Sequence, residues 1–353
     1  WLSSDSAVNS PIMRKHSQNI NARVTYEPFK NFRIEITANR NFSRTNSEYF
    51  RADSLGRFNT YAPVENGSFS ISYLTWNTAF ITDDKKTYSS ENFENFKQYR
   101  YEIAMRLAQD NPNWNGKIVD STGFPDGYGP TSQDVLIPAF LAAYTGRNPG
   151  TVNLNTFPKI PLPNWRLTFT GLTNIKAIKK YFKSISIGHG YRSSYNVGNY
   201  TSNVLYRADD DGFQTVRDAV RNYIPEKEIA QISITEQFNP LFNLDMTWNN
   251  SLITKIEFKK SRNLSLSFAN NQLTEITSNE IIIGSGYRIK DVTFDIRSGG
   301  RKRTLKSDLS LKADLSIRTN KTVLRKLVEN IDQISAGQTM IAINISADYN
   351  IST

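Results

Sequence analysis

The chain contains no cysteine and only two histidines, His16 and His189. The first absence excludes a disulfide framework, a thiolate nucleophile and a cysteine-ligated zinc site. The second leaves a multi-histidine metal centre or a histidine-based triad with too little to build from. Enzyme chemistry would have to run on carboxylates, and the expectation is a protein with no enzymatic activity, no cofactor and no metal. Long apolar runs are also missing. The longest, Val135 to Tyr144, is about half of the ~20 residues that a membrane-spanning helix needs. Charge of one sign is scarce: the net charge of +10 comes from 43 basic against 33 acidic residues in mixed order, and only Arg297 to Lys306 is strongly one-signed, so nucleic-acid binding is not expected. No signal-like segment opens the chain at Trp1, and both ends fall inside strand-like or loop-like text, which predicts a piece of something longer.

What is present is alternation. A hydrophobic fraction of 38%, aromatics at 12% and a mean hydropathy of -0.50 suit a chain in which half of every strand faces water or a polar lumen. The segment from Leu162 to Tyr200 organises the reading. Trp165, Leu167 and Phe169 share one parity while Arg166, Thr168 and Thr170 take the other, and Ile185, Ile187, His189 and Tyr191 repeat the pattern beyond a short basic connection, Lys176 to Lys180. A period of two makes this a strand pair with one apolar face. Residues 20–26 and 32–38 predict an earlier hairpin, after a polar amino-terminal loop up to Asn19, and Asn41 to Gly67 reads as a polar excursion. From Glu228 alternating strands follow almost without pause, joined by turn chemistry at Asn239-Pro240, Asn249-Asn250, Ser261 to Asn263, Asn270-Asn271 and Ser298 to Gly300.

Two stretches break the period. Residues 83–161 predict a loop insertion outside the sheet with two short helices, one capped by Ser90 and running to about Asp110, the other from Gln133 to Tyr144 with Gly146 as its stop. Residues 196–227 predict a second insertion with a short helix over Phe213 to Asn222. Asp209 to Gly212 has the wrong spacing for a calcium loop and reads as a solvated acidic loop. Gly188 and Gly190 flank His189 and mark a bend or a close approach by a neighbouring strand.

Short turns on one side of the strands and long excursions on the other point to an all-β, antiparallel transmembrane barrel, because outer-membrane barrels show that asymmetry. Residues 1–353 are then part of one barrel domain. In Arg303 to Arg318 the two parities separate cleanly. Lys306, Asp308, Lys312, Asp314 and Arg318, with Arg166 and Thr168, are expected to face the lumen. Leu305, Leu309, Leu311, Leu315 and Ile317, with Trp165, Leu167 and Phe169, are expected to face lipid. The polar set would serve equally as the solvent face of a soluble sheet. Aromatics at strand ends, among them Tyr181, Trp248, Tyr287 and Tyr349, suit interfacial girdles.

Several order-specific segments carry a family resemblance. Pro163 to Leu167 through Gly171-Leu172, Ala269 to Glu275, Gly286 to Val292 and Ala347 to Tyr349 resemble the carboxy-terminal part of the SprA/Sov family, the giant outer-membrane translocons of type IX secretion in Bacteroidota. The resemblance implies a single-chain barrel of about 36 strands, so this chain would be an arc of a very large barrel, closing with the remaining strands of its own wall. It further implies passage of folded, secreted cargo proteins, a partner outer-membrane barrel, a periplasmic plug protein and a place in the lipid bilayer of the outer membrane. No catalytic, cofactor or metal residues come with it. The alternatives are another large outer-membrane barrel, such as a nutrient receptor or lipid exporter, or a soluble β-rich adhesin or carbohydrate-binding protein using rings such as Tyr61 and Trp76.

Overall fold

In the computed structural model, which describes residues 10–298 and 301–349, the alternating segments become long antiparallel strands. In chain order the elements are β1 (Pro11–Phe29), β2 (Phe32–Ala52), β3 (Phe58–Ser72), α1 (Glu91–Asp110), β4 (Ile118–Val119), β5 (Phe124–Pro125), α2 (Gln133–Thr145), β6 (Asn164–Phe169), α3 (Lys176–Lys179), β7 (Phe182–Ser202), β8 (Lys227–Ile229), β9 (Gln231–Trp248), β10 (Leu252–Ser267), β11 (Gln272–Ser298), β12 (Arg301–Lys326) and β13 (Ile331–Tyr349). All but β4 and β5 belong to one 11-stranded sheet whose main path is β1-β2-β3-β7-β9-β10-β11-β12-β13, with β6 between β2 and β7 and β8 against β7. Neighbours in space are neighbours in sequence, so short hairpins suffice to connect most of them.

The largest departure from a simple meander is a strand in two pieces. β3 pairs with β2 through Arg40↔Ile71 and β6 pairs with β2 through Thr37↔Asn164. Counting along β7, Ser72 stands opposite Ser194, Tyr73 N–H donates to Ser193 C=O, and Trp165 stands opposite Tyr191, which leaves Arg192 to Asn164. The two pieces therefore continue one another without skipping a ladder position. Leu162 N–H donates to Ser72 C=O across 2.9 Å, which brings the chain back to the point where it left. The insertion thus spans residues 73–163, wider than residues 83–161, and it leaves from the middle of a strand and not from a strand end.

That placement also corrects the expected asymmetry of turns. The hairpin ends on the insertion's side include 268–271 and 327–330, as tight as the turns 30–31 and 249–251 at the other end. Only the 203–226 loop is long there, because residues 196–202 remain in β7. Pro11 to Asn19 and most of Asn41 to Gly67 are strand as well, and residues 239–240 and 261–263 lie inside β9 and β10. Side chains there are polar on both faces, which erases the period of two while leaving the backbone ladder untouched. Residues 213–222 form no helix, only the isolated bridges Ala208↔Gln214 and Arg217↔Tyr223. The Ser298 to Gly300 turn lies partly outside the described residues.

The two expected helices are present. Ser90, in extended backbone, accepts from the N–H groups of Phe93 and Glu94 through its carbonyl, and Glu91 and Glu94 occupy the first turn of α1, where acidic side chains suit the helix dipole. Gly146 ends α2 at φ 65°, ψ 33°, a left-handed cap that glycine adopts without penalty. All of α2 from Val135 to Thr145 is buried. It lies in one core with Phe93, Phe96 and Ile103 of α1 and with Ile71, Tyr195, Val197, Ile232, Ile234, Leu264, Leu266 and Leu273 of the sheet. An all-round apolar helix is the expected occupant of such a middle layer.

Two buried arginines of the sheet bind the insertion to it. Arg262 donates to Thr78 C=O and Oγ1, each at 3.0 Å, and pairs with Glu236 at 3.0 Å, while Thr75 and Tyr191 also donate to Glu236. Arg325 pairs with Asp83 at 2.8 Å, Glu275 at 3.0 Å and Asp332 at 3.3 Å, and donates to Tyr88 C=O at 2.6 Å. Both side chains are almost wholly out of solvent, so removing either leaves carboxylates buried without compensation. A third contact joins the two excursions: Asp126 accepts from Arg217 at 2.6 Å and Arg221 at 2.9 Å.

Arg325→Ala is expected to cost about 3–5 kcal/mol and to raise amide exchange over residues 83–110 while the β9–β10 ladder stays protected. The half-exposed Arg318→Ala should cost about 1 kcal/mol or less. Uniform exchange across the sheet in Arg325→Ala would show that the arginine holds the whole fold and not the insertion. Acid should act elsewhere. Arg221, joined by Arg217 and opposed by burial, holds the Asp126 carboxyl well below the usual carboxylate range. Its stabilisation is present above the unfolded value near 3.8 and is lost as pH falls below it. Protease access to residues 203–226 should therefore rise below about pH 4, and Asp126→Asn should show raised access already at neutral pH.

Candidate membrane-facing band and polar wall

Register assigns every strand residue to one of two sheet faces. Following the pairs from β6 to β13, Trp165, Leu167 and Phe169 share a face with Ile185, Ile187, Phe242, Leu244, Ile256, Phe258, Ile281, Ile283, Leu309, Leu311, Leu315, Ile317, Ile341 and Ile343. The insertion packs on this same face, over the half of each strand that carries Ile71, Ile232, Leu264 and Leu273. The other half is uncovered and apolar: Ile283 is 54% and Ile343 69% exposed. An uncovered apolar face this extensive is not ordinary for a soluble monomer.

Aromatic rings frame the band. At its lower end Phe29, Phe32 and Phe169 cluster, Phe182 and Trp248 lie 4.1 Å apart by ring centroid, and Phe294 meets Tyr349 edge-on at 4.7 Å. Tyr181 and Tyr287 are exposed in the same region. At the upper border Trp76 from the insertion leans on Trp165, Tyr191, His189 and Phe238, and Phe80 packs on Phe238. Trp165 is accordingly shared with the insertion, stacking on Tyr191 at 4.5 Å, whereas Leu167 and Phe169 lie below that cover. His189 belongs to the same cluster, its Nδ1 2.6 Å from Leu241 C=O. From Leu309 to Ile317 the strand runs about 26 Å at ~3.3 Å per residue, or roughly 20 Å of height at a tilt of about 40°.

The opposite face is polar. Arg166 and Thr168 stand opposite Gly190 and Gly188, on the face that carries Lys312, Asp314 and Arg318 farther along the sheet. The charged residues interleave as pairs. Lys306 lies 3.3 Å from Asp291, whose N–H donates to Asp308 at 3.3 Å. Lys312 lies 3.4 Å from Asp348, and Arg318 donates to both oxygens of Glu280 at 3.0 Å. Asp314 lies over Gly284, where a Cβ would collide with its carboxylate. The side chain of Leu305 falls outside the described residues, although its backbone pairs with Phe294.

Sequence reasoning missed the adjoining row on β10. Lys255 pairs with Glu257 at 2.8 Å, and Lys259 reaches Glu257 at 3.7 Å and Glu280 at 4.0 Å. The signal was present as Lys255, Glu257 and Lys259 at alternate positions between Thr254, Ile256 and Phe258. The lysines are about a third exposed while Glu257 and Glu280 are nearly buried, so the lysines compensate carboxylates that the sheet holds out of solvent and leave this row locally neutral. Asp209, in the 203–226 loop, is consumed by its own turn: its Oδ1 accepts from Asp211 and Phe213 N–H groups, and its Oδ2 from Asn113 Nδ2.

Leu315→Arg, inside the band between Ile283 and Ile343, should cost roughly 2–4 kcal/mol in a bilayer and Lys312→Ala far less, measured as unfolding free energy of the full-length protein in lipid. Equal, small effects would show that the two faces do not meet different solvents. Comparison with known proteins finds no family model and no curated relative that matches the chain.

Proposed function

We propose that the chain is an arc of the wall of a very large outer-membrane β-barrel, and that this barrel is the protein-conducting channel of type IX secretion. The observation that carries the membrane reading is the uncovered apolar band, roughly 20 Å tall at a tilt of about 40°, framed by aromatic rings and backed by a charge-paired polar face. A lipid-facing exterior and a hydrated interior need that combination, because backbone groups in hydrocarbon must be satisfied by the ladder and side chains must match the solvent on each face. The resemblance to the SprA/Sov family supports the secretion reading: folded cargo passing along the polar wall, release towards a partner barrel, and a plug on the periplasmic side. In this reading the insertion of residues 73–163 lies outside the barrel on the external side of the bilayer. The α3 end, with Lys176, Lys179 and Lys180, lies at the periplasmic rim. Residues of β1 and β13 pair with the remaining strands of the same wall, since open edges do not persist in lipid.

Extraction of the full-length parent from cells tests the membrane reading first: it should come out of the membrane fraction only with detergent, and a monodisperse detergent-free species would end it. A low-resolution map of the extracted particle then tests the channel. A barrel wide enough for a folded domain, with further subunits attached, is expected. A narrow barrel that admits only small solutes would overturn the translocon.

A further inference from the structure

The polar wall changes character where β6, β7 and β9 meet. Around that point its side chains are mostly Ser, Thr, Asn and Gln, but at it the wall is basic. A depression of about 590 Å3 opens there, lined by Arg23, Arg166, Arg192, Asn164, Gln237 and Asn239 among others. Its floor is backbone. Gly188 and Gly190 place no side chain on the wall, and β9 carries extra residues between Phe238 and Phe242 relative to both neighbours. The bulging β9 comes so close that a Cβ on Gly190 would lie 2.9 Å from Asn239 C=O. Bulges re-aim side chains, and here the bulge sets Asn239 at the rim.

The charges at the site do not cancel. Among the described residues Glu35 is the one carboxylate in the lining, and it is already engaged by Arg23 at 3.2 Å and Arg33 at 2.7 Å. Arg166 stands between Glu35 of β2 and Gly190 of β7 in register, and Arg192 lies two residues farther along β7, yet neither arginine has a hydrogen-bond or ion-pair partner among the described residues, Glu35 being turned to Arg23 and Arg33. Every other charged residue singled out on this wall from Lys255 to Asp348 is paired or lies over a glycine. Asn164 is only 3% exposed; its Oδ1 accepts from Ser193 N–H at 2.7 Å, which fixes the amide and leaves its Nδ2 without a partner among the described residues.

We propose that this depression binds a carboxylate-bearing peptide segment, with Arg166 and Arg192 taking its acidic groups and the amides of Asn164, Gln237 and Asn239 meeting its main chain. Guanidinium forks match carboxylates in a bidentate way. The amides of Gln237 and Asn239 can both donate and accept, while Asn164, its oxygen taken by Ser193 N–H, donates; a peptide main chain uses donors and acceptors alike, whereas a phosphate offers mainly acceptor oxygens. The assignment rests on these residues and stands apart from the membrane reading.

The test uses the purified full-length protein and a fluorescent peptide rich in Glu and Asp, its Gln/Asn counterpart, its Lys counterpart, and inorganic phosphate as competitor. The acidic peptide should bind at least tenfold more tightly than the neutral one, the Lys peptide should not bind, and added salt should weaken the complex. Arg166→Gln combined with Arg192→Gln should lower the affinity for the acidic peptide by about tenfold or more, while Lys312→Gln on the same wall should leave it unchanged. Undiminished binding in the double variant, or equal binding of acidic and neutral peptides by the unaltered protein, would overturn the proposal. Competition by phosphate at the peptide's own concentration would overturn the peptide as occupant and leave a small-anion site.

Discussion

The parity of the ladder is the constraint on which the rest depends. Side chains alternate with a period of two, so a slip of one residue would exchange the apolar band for the polar wall in every strand beyond it. Single extra residues do occur, mostly toward strand ends: in β1 between Tyr26 and Phe29, in β3 between Tyr61 and Val64, in β7 between Phe182 and Ser184 and between Val197 and Tyr200, in β11 between Ile289 and Val292, and in β13 beside Val323. The irregularity in the middle of the sheet is of another kind. Between Phe238 and Phe242 β9 gains two residues on β10, where Lys260 and Phe258 are their partners. An even number restores the parity, so both phenylalanines stay on the apolar side while the backbone between them is freed to shape the opposite face.

The insertion adheres by a different physics from the strands. Its middle helix is apolar all round and fills the space between α1 and the sheet, but its position is fixed by Arg262 and Arg325, buried guanidinium groups that reach from the sheet to Thr78, Asp83 and Tyr88. Apolar packing is tolerant of small shifts, whereas a buried charge with oriented partners is not. The underside of the insertion presents Trp76 and Phe80 at the upper border of the band, so fixing the insertion also fixes where the uncovered apolar surface begins.

Much of the architecture is legible in the residues. The strands rich in Ile, Leu and Phe announce themselves by alternation, and α1 and α2 by spacing and by Ser90 and Gly146. The strand segments around Arg44, Thr45 and Asn46 and around Ser261 to Asn263 do not, because polar residues on both faces give no period to detect. Pairing is the other hidden quantity. That Trp165 shares its ring with Trp76, or that Arg325 gathers Asp83, Glu275 and Asp332, depends on chain segments far apart in sequence. The basic depression was half visible: Gly188 and Gly190 signalled a close approach, but the converging Arg166 and Arg192 lie on strands whose register no local pattern reveals.

The seam between Tyr73 and Asn164 has a consequence for how such a wall can change over time. The ladder counts Asn164 as the residue after Tyr73, so the register of the sheet and its number of strands are blind to everything between them. A segment placed at such a seam can lengthen, shrink or be exchanged for another without altering the width of the sheet that carries it.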